Sequence, residues 1–595
     1  MCCCRASVAT LTPRCRRSEP VSATLTIRRR ELPAPAPDLG AGLHPVLQRV
    51  YLARGIRSSA ELQRGLEHLA PVGSLAGTTA AADLLLLHRG ARVLIIGDFD
   101  ADGATSTALM VRALRAWGFA AVDFLVPNRF EYGYGLTPEI VAVAAERAPA
   151  LIVTVDNGIS SNAGVAAARA RGIEVLITDH HLAGAVLPDA NVIVNPNLPG
   201  SRFASTALAG VGVAFYVCAA LRRLLESHSL LAADALPTAH LLDLVALGTV
   251  ADVVPLDANN RILVSQGLAR IRAGRCVPGI SALLSVARRA LPELNATDLG
   301  FAVAPRLNAA GRLTDMSVGI RCLLEDDAAQ ALLLAQELDA LNAQRREIEA
   351  GMQLQALAAV RTLTQAGSAM QRAGVCLYDA AWHQGVVGLV ASRVKERLRR
   401  PVIAFANADE RTLRGSARSV PGVHVRDVLE AIATREPQLV EKFGGHAMAA
   451  GLSLPLAHLD RFARAFDSEV GRVMAGLQGG DAIHTDGELT WEQIALPLAA
   501  ELRSAGPWGA GFPEPQFDGL FELRGARVVG ERHLKFQVLA GEGRGGFEAI
   551  AFNSIDPLQP AELPSGRRRL VYRLGTNDYR GERRLQLVVE HLLAP

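Results

Sequence analysis

The segment RVLIIGDFDADGATS, residues 92–106, joins a run of apolar residues to three aspartates within five positions. Continuous Val, Ile and Leu residues over 92–97 predict a strand that is buried on both faces. Asp98, Asp100 and Asp102 follow where this strand ends. In an extended backbone, the second and third of these side chains would point to the same side. The segment therefore predicts a strand whose carboxyl end carries several carboxylates.

Similar strands recur along the next eighty residues. Apolar runs at 121–126, 150–155 and 174–178 predict three further strands, and segments with helical periodicity separate them. Buried strands that alternate with helices are typical of a parallel sheet with helices on both faces. We therefore predict an α/β fold for this part of the chain.

Two of these strands end in side chains that can bind metal ions. Asp156 follows one strand, and Asp179, His180 and His181 follow the next. The carboxyl ends of parallel strands meet at one edge of the sheet, which is where ligands bind in open α/β folds. Asp252, which follows a helix-like segment, is a further acidic candidate. We expect all these residues to lie near the first three aspartates.

Carboxylates gathered in one crevice raise each other's pKa unless a cation compensates their charge. Each aspartate taken alone would more often be the N-cap of a helix. Together with two histidines, however, they indicate a metal site. Oxygen and imidazole ligands suit Mn²⁺ or Mg²⁺, and no cysteine stands near these motifs. Two ions about 3.5–4 Å apart can stabilise the attacking and leaving oxygens of a phosphoryl transfer.

The rest of the chain divides into segments of different texture. Residues 326–365 contain no proline, and Leu and Ala recur there at helical spacing, which predicts one long helix. A second α/β unit begins near Gly374. After residue 480, short alternating segments broken by glycine predict a small β-barrel. The expected architecture is two α/β lobes joined by a long helix, plus a C-terminal barrel.

Composition indicates a globular protein of several domains. The chain has 595 residues, half of them hydrophobic, and a net charge of +3. Residues 1–30 hold seven arginines and one acid, so the other 565 residues carry a net charge of about −3. Any nucleic-acid interface must therefore be a local basic groove.

Targeting signals and cysteines bear on location. The Arg-rich leader lacks the apolar core of a secretory signal, and either an organellar transit peptide or a start codon assigned too early would produce it. The eight cysteines form no CxxC pair and no disulfide-like pattern, which favours a reducing cytoplasm. The uncharged stretch 203–221 contains glycines and a loop-like start, so we expect a buried helix there and no membrane span.

The motifs resemble those of a known group of enzymes when they are taken in order. FDADGATS (99–106), VTVDNGIS (153–160), TDHH (178–181) and ALGTVADVVPL (246–256) resemble the DHH phosphoesterase superfamily. Further segments resemble its RecJ family of single-strand-specific DNA exonucleases over roughly residues 27–595; these are VPNRFEYGYGL, LAGVGVAF, PRLNAAGRL, WHQGVVGLVASRVKER, GSARS, FGGHAMAAG and GPWGAGFPEPQF.

The resemblance implies a domain arrangement. It comprises an unmatched Arg-rich leader (1–26), an N-terminal helical lead-in (27–88), a DHH catalytic domain (89–325), a linker helix (326–365), a DHHA1 substrate-binding domain (366–475) and an OB-like nucleic-acid-binding domain (476–595). In the barrel, the aromatic residues that could stack on bases are Trp508, Phe512, Phe517 and Phe536, although each taken singly is better explained as core.

The resemblance also implies roles for the motif residues. The metal ligands would be Asp100, Asp102, Asp156, His180 and Asp252. His181 would lie beside the scissile phosphate as a general acid or charge stabiliser, and Asp179 would orient a histidine. Many relatives have a histidine four residues before the first Asp of the D-x-D motif. Here Ile96 occupies that position, so Asp98 is the expected substitute ligand.

Substrate contacts are expected in the second lobe and in two motif arginines. Adjacent glycines allow backbone N–H groups to approach a phosphate, and a serine and an arginine two residues apart on a strand share one face. The implied contacts are Arg129, Arg306, Ser416, Arg418, Gly444, Gly445 and His446.

The function that the resemblance implies is metal-dependent 5′-to-3′ hydrolysis of single-stranded DNA to 5′-mononucleotides, in DNA repair and recombination. A single-strand-binding protein and a helicase are implied partners, and no membrane is. One alternative is another DHH phosphodiesterase, acting on oligoribonucleotides or cyclic dinucleotides. The C-terminal barrel argues against it, because short substrates need no extended binding track. A second alternative is a non-catalytic DNA-binding scaffold, but every motif acid and both histidines are present.

Overall fold

The structure is a computed structural model that describes residues 26–40, 42–128, 135–365, 372–475, 482–530, 532–539, 546–555, 563–579 and 582–595. Arg129, one of the expected phosphate contacts, lies outside these residues.

The strands are numbered in chain order. They are β1 (Thr26–Arg29), β2 (Arg92–Gly97), β3 (Ala121–Leu125), β4 (Leu151–Val155), β5 (Glu174–Thr178), β6 (Val192–Val194), β7 (Val375–Tyr378), β8 (Val402–Asn407), β9 (Thr412–Arg418), β10 (Lys442–Gly445), β11 (Ala449–Pro455), β12 (Ala482–Thr485), β13 (Phe517–Val529), β14 (His533–Leu539), β15 (Gly546–Ala551), β16 (Gly566–Tyr579) and β17 (Glu582–Leu593).

The helices follow the same numbering. They are α1 (Pro45–Leu52), α2 (Thr78–Leu87), α3 (Ala101–Ala116), α4 (Pro138–Ala145), α5 (Asn162–Arg169), α6 (Gly210–Ser227), α7 (Leu242–Ala251), α8 (Ala258–Arg272), α9 (Pro278–Val286), α10 (Ala296–Asp298), α11 (Ala304–Leu313), α12 (Ser317–Leu324), α13 (Ala328–Gln365), α14 (Val387–Leu398), α15 (Val425–Arg435), α16 (Leu459–Ala475) and α17 (Leu496–Ser504). A π-helix spans Leu299–Val303, and short 3-10 turns occupy Ser59–Leu62, Leu66–His68, Val72–Ser74, Thr238–Leu241, Leu291–Glu293 and Leu456–His458.

The first lobe is built on a parallel sheet in the order β3-β2-β4-β5-β6. Successive residues of a strand point to opposite faces, so β2 contributes to two separate cores. Val93 and Ile95 pack with α3 and α6, whereas Leu94 and Ile96 pack with α4 and α5. Both faces are therefore covered by helices, and the predicted α/β fold is confirmed.

A single long helix, α13, leads from the first lobe to the second, as the sequence predicts. The second lobe has a mixed sheet in the order β10-β11-β9-β8-β7, in which only β7 and β8 are parallel. Its core is separate from that of the first lobe and includes Phe405, Phe462 and Phe466.

The C-terminal strands form a closed barrel in the order β13-β14-β15-β17-β16, with β13 also paired to β16. Five strands closed in this way are consistent with the expected OB-like fold. The four aromatic residues considered for base stacking are all buried and belong to the hydrophobic core: Trp508, Phe512, Phe517 and Phe536. Their side chains are therefore not available for stacking on DNA.

One contact that no sequence pattern predicts joins the N-terminal segment to the barrel region. Strand β1 pairs in parallel with β12, immediately before the barrel. Next to this pair, Arg54 donates to both carboxylate oxygens of Asp486 at 2.7 and 3.0 Å, and both side chains are buried. Two four-residue strands more than four hundred residues apart carry too little pattern for their pairing to be predicted.

The uncharged stretch at 203–221 contributes to α6, which is buried along most of its length, as expected. No single helix of the described residues is long and apolar enough to cross a bilayer, although the bent pair at 66–74 and 78–87 meets that test on length and composition.

Candidate active site

The opening aspartates lie around the start of α3 and not along an extended strand. Asp100 is the N-cap of α3, and its Oδ1 accepts a hydrogen bond from Gly103 N at 3.0 Å. Asp102 already belongs to the first turn of the helix. The expectation of an extended backbone is therefore wrong, because the N-cap bond starts the helix before Asp102. Asp98 directly follows β2 and is buried.

The start of α6 packs directly against two of the carboxylates. Asp102 accepts hydrogen bonds from Gly210 N at 2.7 Å and from Val211 N at 3.0 Å. Asp156 is buried after β4 with a φ of +61°. A Cβ added to Gly210 would lie 2.6 Å from Asp156 Oδ1, so only glycine fits at this position. The motif LAGVGVAF thus supplies both the donors and the space that the acidic cluster needs.

The two histidines after β5 differ in their surroundings. His181 Nδ1 lies 2.8 Å from Asp179 Oδ1, whose carboxylate also accepts from three backbone N–H groups, those of Ile159, His180 and His181. His180 Nε2 points instead at Asp156 Oδ1, 3.1 Å away, and at Asp252 Oδ2, 3.5 Å away. Asp179 therefore holds one histidine in place, while the other faces the acidic cluster.

The same contacts shift the pKa values of these groups in opposite directions. Burial and the charge of His181 lower the pKa of His180 to about 4. Burial would also lower the pKa of His181, but its hydrogen bond to Asp179 and the charge of that carboxylate raise it to about 9. At neutral pH, His180 is therefore a neutral imidazole, as a metal ligand must be, and His181 carries a positive charge.

The acidic side chains are held in a state that favours binding of a cation. Burial, with a contribution from Asp100, raises the pKa of Asp252 to about 7. Burial and the neighbouring carboxylates raise the pKa values of Asp102 and Asp156 well above the ordinary range. These shifts are what closely spaced carboxylates show when no cation balances them.

The donor atoms group into sets that fit divalent metal ions. Within each set the donor atoms lie within 4.8 Å of one another. The first set is Asp98, Asp100 and Asp156, the second is Asp102, His180 and Asp252, and the third is Asp156, His180 and His181. His180 Nε2 and Asp252 Oδ2 are both buried, and among the described residues neither atom is aligned for a hydrogen bond despite these short distances. Oxygen and imidazole donors in these sets fit Mn²⁺ or Mg²⁺.

A cleft of about 850 Å³ lies between the two lobes, and Asp179 and His181 line it on the side of the first lobe. Among the described residues that line it, the charged side chains are Asp179, the His181 imidazolium and five further cations, Arg312, Arg414, Arg418, Arg426 and Lys442. Such a lining attracts a polyanion.

Ser416 and Arg418 lie on the face of β9 that lines the cleft. Arg418 Nη1 donates to Ser416 Oγ at 2.9 Å and to Ala417 O at 2.8 Å. A Cβ on Gly388, in the first turn of α14, would lie 2.8 Å from Arg418 Nη2. Burial lowers the pKa of Arg418, and no carboxylate of the described residues opposes that shift. A half-buried cation without an acidic partner among the described residues is suited to receive an anion.

The glycine pair and His446 also line the cleft, and β10 belongs to the same sheet as β9. Gly444 and Gly445 end β10, and Gly445 has a φ of +138°, which side chains rarely adopt. The ring of His446 stacks against that of His181, with centroids 6.4 Å apart. The second lobe therefore meets the histidine motif of the first lobe directly.

Arg306 is the one described candidate among the substrate contacts that lies apart from the cleft lining. Its guanidinium forms an ion pair with Asp339 of α13 at 2.7 Å and also donates to Ala302 O. This ion pair would have to break before Arg306 could contact a phosphate.

The motif PRLNAAGRL contributes other residues, which the sequence reasoning missed. Arg312 lines the cleft, six residues and about 240° around the helix from Arg306. Asn308 Oδ1 accepts from Ala101 N at 2.8 Å, and a Cβ on Gly311 would lie 1.8 Å from Phe99 O. Residues four apart share a helix face, so Arg312 could have been recognised as a neighbour of Asn308.

Arg414 and Lys442 were also missed. Each stands two residues before a predicted contact on the same strand, Ser416 and Gly444 respectively, and both line the cleft. The alternation of side chains along a strand was a sufficient signal for both.

Three family models match the chain. They are described as the DHH family N-terminal domain (residues 92–249), the DHHA1 domain (371–472) and the RecJ OB domain (485–591). They match, in order, the first lobe, the second lobe and the region that contains the barrel.

Whole proteins agree with the family models. The single-stranded-DNA-specific exonuclease RecJ of Dickeya dadantii (strain 3937) is 53% identical over 95% of this chain and 98% of its own length. The crystal structure of RecJ in complex with Mn²⁺ from Thermus thermophilus has a TM-score of 0.79 and 31% identity, and the match covers 96% of this chain and 80% of that one. The crystal structure of RecJ in complex with Mg²⁺ from the same organism has a TM-score of 0.74 and 29% identity, and the match covers 96% of this chain and 79% of that one. Because fold, domain models and near-complete relatives all agree, the chain belongs to the RecJ family of single-stranded-DNA-specific exonucleases.

Proposed function

We propose that the protein is a metal-dependent exonuclease that hydrolyses single-stranded DNA in the 5′-to-3′ direction and releases 5′-mononucleotides. The observation that carries this proposal is that His181, a member of one of the metal-binding sets, lines a cleft that also contains five arginine and lysine side chains. A cleft of this kind holds a phosphodiester chain against the hydrolytic groups. The barrel and the RecJ relatives favour DNA over short oligoribonucleotides or cyclic dinucleotides.

The residues proposed to hold Mn²⁺ or Mg²⁺ are Asp98, Asp100, Asp102, Asp156, His180 and Asp252. Two bound ions would activate a water molecule and stabilise the leaving oxygen of the scissile bond. Asp102 is oriented by the N–H groups at the start of α6, and the loop around Phe99 is supported by Asn308 and Gly311. These contacts fix the ligands before substrate arrives.

His181 is the proposed catalytic side chain beside the scissile phosphate. Its imidazolium charge, held by Asp179, faces the cleft next to His446. A positive charge there stabilises the developing negative charge on the phosphate, and its proton can pass to the leaving 3′ oxygen. Asp179 acts by positioning His181.

Ser416 and Arg418 are proposed to bind the 5′-terminal phosphate. A terminal phosphate carries more charge than an internal diester and can accept two donors from one guanidinium. Gly444, Gly445 and His446 would contact the same nucleotide from β10 and the turn after it. Arg129 and Arg306 remain proposed phosphate contacts, and Arg312 joins them because it lines the cleft.

We also propose the domain limits, partners and location. Residues 89–325 would form the catalytic domain, 366–475 the substrate-binding domain and 476–595 the nucleic-acid-binding domain, with 27–88, 326–365 and the leader outside them. A single-strand-binding protein and a helicase are proposed partners because the family resemblance implies them. A cytoplasmic location is proposed from the absence of a disulfide-like cysteine pattern in the sequence.

The deciding experiment is a nuclease assay on a single strand with an internal label and a phosphate at the 5′ end. Mononucleotides should appear from the 5′ end in Mg²⁺ or Mn²⁺. None should appear when the metal is removed by a chelator or when the substrate is a blunt duplex. Release from the 3′ end, internal cleavage, or equal action on the duplex would contradict the proposal.

A further inference from the structure

An exposed aromatic side chain lies near the carboxyl end of α7, outside the lining of the basic cleft. Phe301 is 83% exposed, although it belongs to the π-helix that precedes α11. A Cβ on the preceding residue, Gly300, would lie 3.2 Å from Val250 Cγ1. Val250 is in the last turn of α7, and Asp252 caps that helix. The backbone beside Phe301 therefore packs against the end of the helix that carries a proposed metal ligand.

A second unusual residue lies at the same end of α7. Val253 directly follows Asp252, is 68% exposed and has a φ of +62°. A β-branched residue is strained at such a φ, and strained backbone positions concentrate at functional sites. Two exposed apolar side chains thus lie beside the carboxyl end of α7, outside the lining of the basic cleft.

The chain continues from this point toward the barrel region. Leu256 N donates to Ala510 O at 2.7 Å, and a Cβ on Gly511 would lie 3.1 Å from Pro255 Cβ. The segment from Asp252 to Leu256 therefore connects the metal cluster to the residues that precede the barrel. Under the proposed function, a strand that leaves the metal cluster toward the barrel region would follow this segment.

We propose that Phe301 stacks on an unpaired base just downstream of the scissile bond, with Val253 as an apolar neighbour of that base. This inference rests on the proposed function and adds a specificity contact to it. Phosphates are bound by cations, whereas an exposed phenyl ring beside an apolar side chain offers a surface for the face of a base. A base in a duplex has both faces covered by its neighbours in the stack and its edge paired, so this contact favours single strands.

The test measures binding by strands that lack one base. Oligothymidylates with a 5′ phosphate and hydrolysis-resistant phosphorothioate linkages would carry one abasic residue, moved stepwise from the 5′ end, and affinity would be measured by fluorescence anisotropy in Mg²⁺. For the wild-type chain, one position should weaken binding by roughly 5- to 150-fold relative to its neighbours. Phe301→Ala should bind the intact strand more weakly by a similar factor. Its affinity should not change further when the abasic residue is placed at that position.

Phe301→Trp should keep the position dependence, because it preserves the aromatic face. Leu87→Ala is the matched control, since Leu87 is 75% exposed on α2 and should have no effect on binding. If Phe301→Ala binds the intact strand like the wild type, or keeps the same response to the abasic position, the stacking proposal is overturned while the nuclease function stands. If the wild type binds no single strands, the proposed function and this inference both fail.

Discussion

Replacing Arg418 by alanine tests how the enzyme recognises a DNA end. Its side chain is half-buried in the cleft, and Nη1 donates to Ser416 Oγ and Ala417 O. Burial lowers the pKa of Arg418, and no carboxylate of the described residues raises it again. The guanidinium charge therefore has no acidic partner among these residues until an anion enters the cleft. A symmetric pair of metal ions cannot select one end of a strand, so a charged terminus needs a contact of this kind.

The expected effect follows from the loss of a charge-assisted hydrogen bond. Such a bond contributes about 1.5–3 kcal/mol, which corresponds to roughly 10- to 150-fold in binding. The preference of the enzyme for a 5′-phosphate over a 5′-hydroxyl end should fall by that factor in Arg418→Ala. Arg418→Lys should fall between the two, because lysine keeps the charge but loses the forked donors. The metal cluster is unchanged, so turnover at saturating substrate should largely recover.

The assay is the ratio of kcat/KM for strands that differ only in the 5′ phosphate. Arg411→Ala is the matched control, because Arg411 is exposed just before β9, at the end of that strand opposite Arg418. If the ratio is the same in Arg418→Ala and in the wild type, Arg418 is not the end sensor. Arg312 and Arg414, which line the same cleft, would then be the next residues to test.

Three further predictions concern the metal cluster, its support and the junction between the N-terminal segment and the barrel region. Asp156→Ala should abolish hydrolysis and leave single-strand binding largely intact, and turnover above about a tenth of the wild-type value in saturating metal would contradict its role. Gly311→Ala, whose Cβ would meet Phe99 O, should cost about 1–3 kcal/mol and weaken Mn²⁺ binding in calorimetry. The control is Gly351→Ala, because a Cβ at Gly351 meets nothing within 4 Å. This substitution should instead stabilise α13 by about 0.5–1 kcal/mol. Arg54→Met leaves buried Asp486 with only the longer contact to Arg30 Nε, 3.7 Å away, and should lower the unfolding free energy by about 3–5 kcal/mol in denaturant titrations. A loss below about 1 kcal/mol would show that the Arg54–Asp486 pair is not important for stability.

Much of the first lobe could be predicted from local pattern. The apolar run at 92–97 is strand β2, and the runs at 121–126, 150–155 and 174–178 match β3, β4 and β5 to within one residue. Buried parallel strands leave this clear signal because both faces need apolar side chains. The acids and histidines at their ends come together because parallel strands finish at one edge.

The detailed geometry of the cluster was harder to predict from the sequence. The D-x-D spacing suggested an extended backbone, but the N-cap bond from Gly103 to Asp100 places Asp102 inside a helix. Choosing between Arg306 and Arg312 needed the position of α13, because the ion pair with Asp339 holds Arg306 away from the cleft. Local sequence does not show which neighbour a side chain meets across a tertiary contact.

The order of the α/β lobes, the long helix and the barrel could be predicted without the structure, and so could the carboxylates and histidines of the cluster. These features depend on periodicity and on short motifs, in which each residue acts close to its place in the chain. Three features became visible only in the folded chain: the pairing of β1 with β12, the opposition of His446 to His181, and the gathering of cations from α11, β9 and β10 around one cleft. The physical reason is that these contacts join segments far apart in the chain, so their energies depend on how the lobes pack together and leave no pattern in either segment alone.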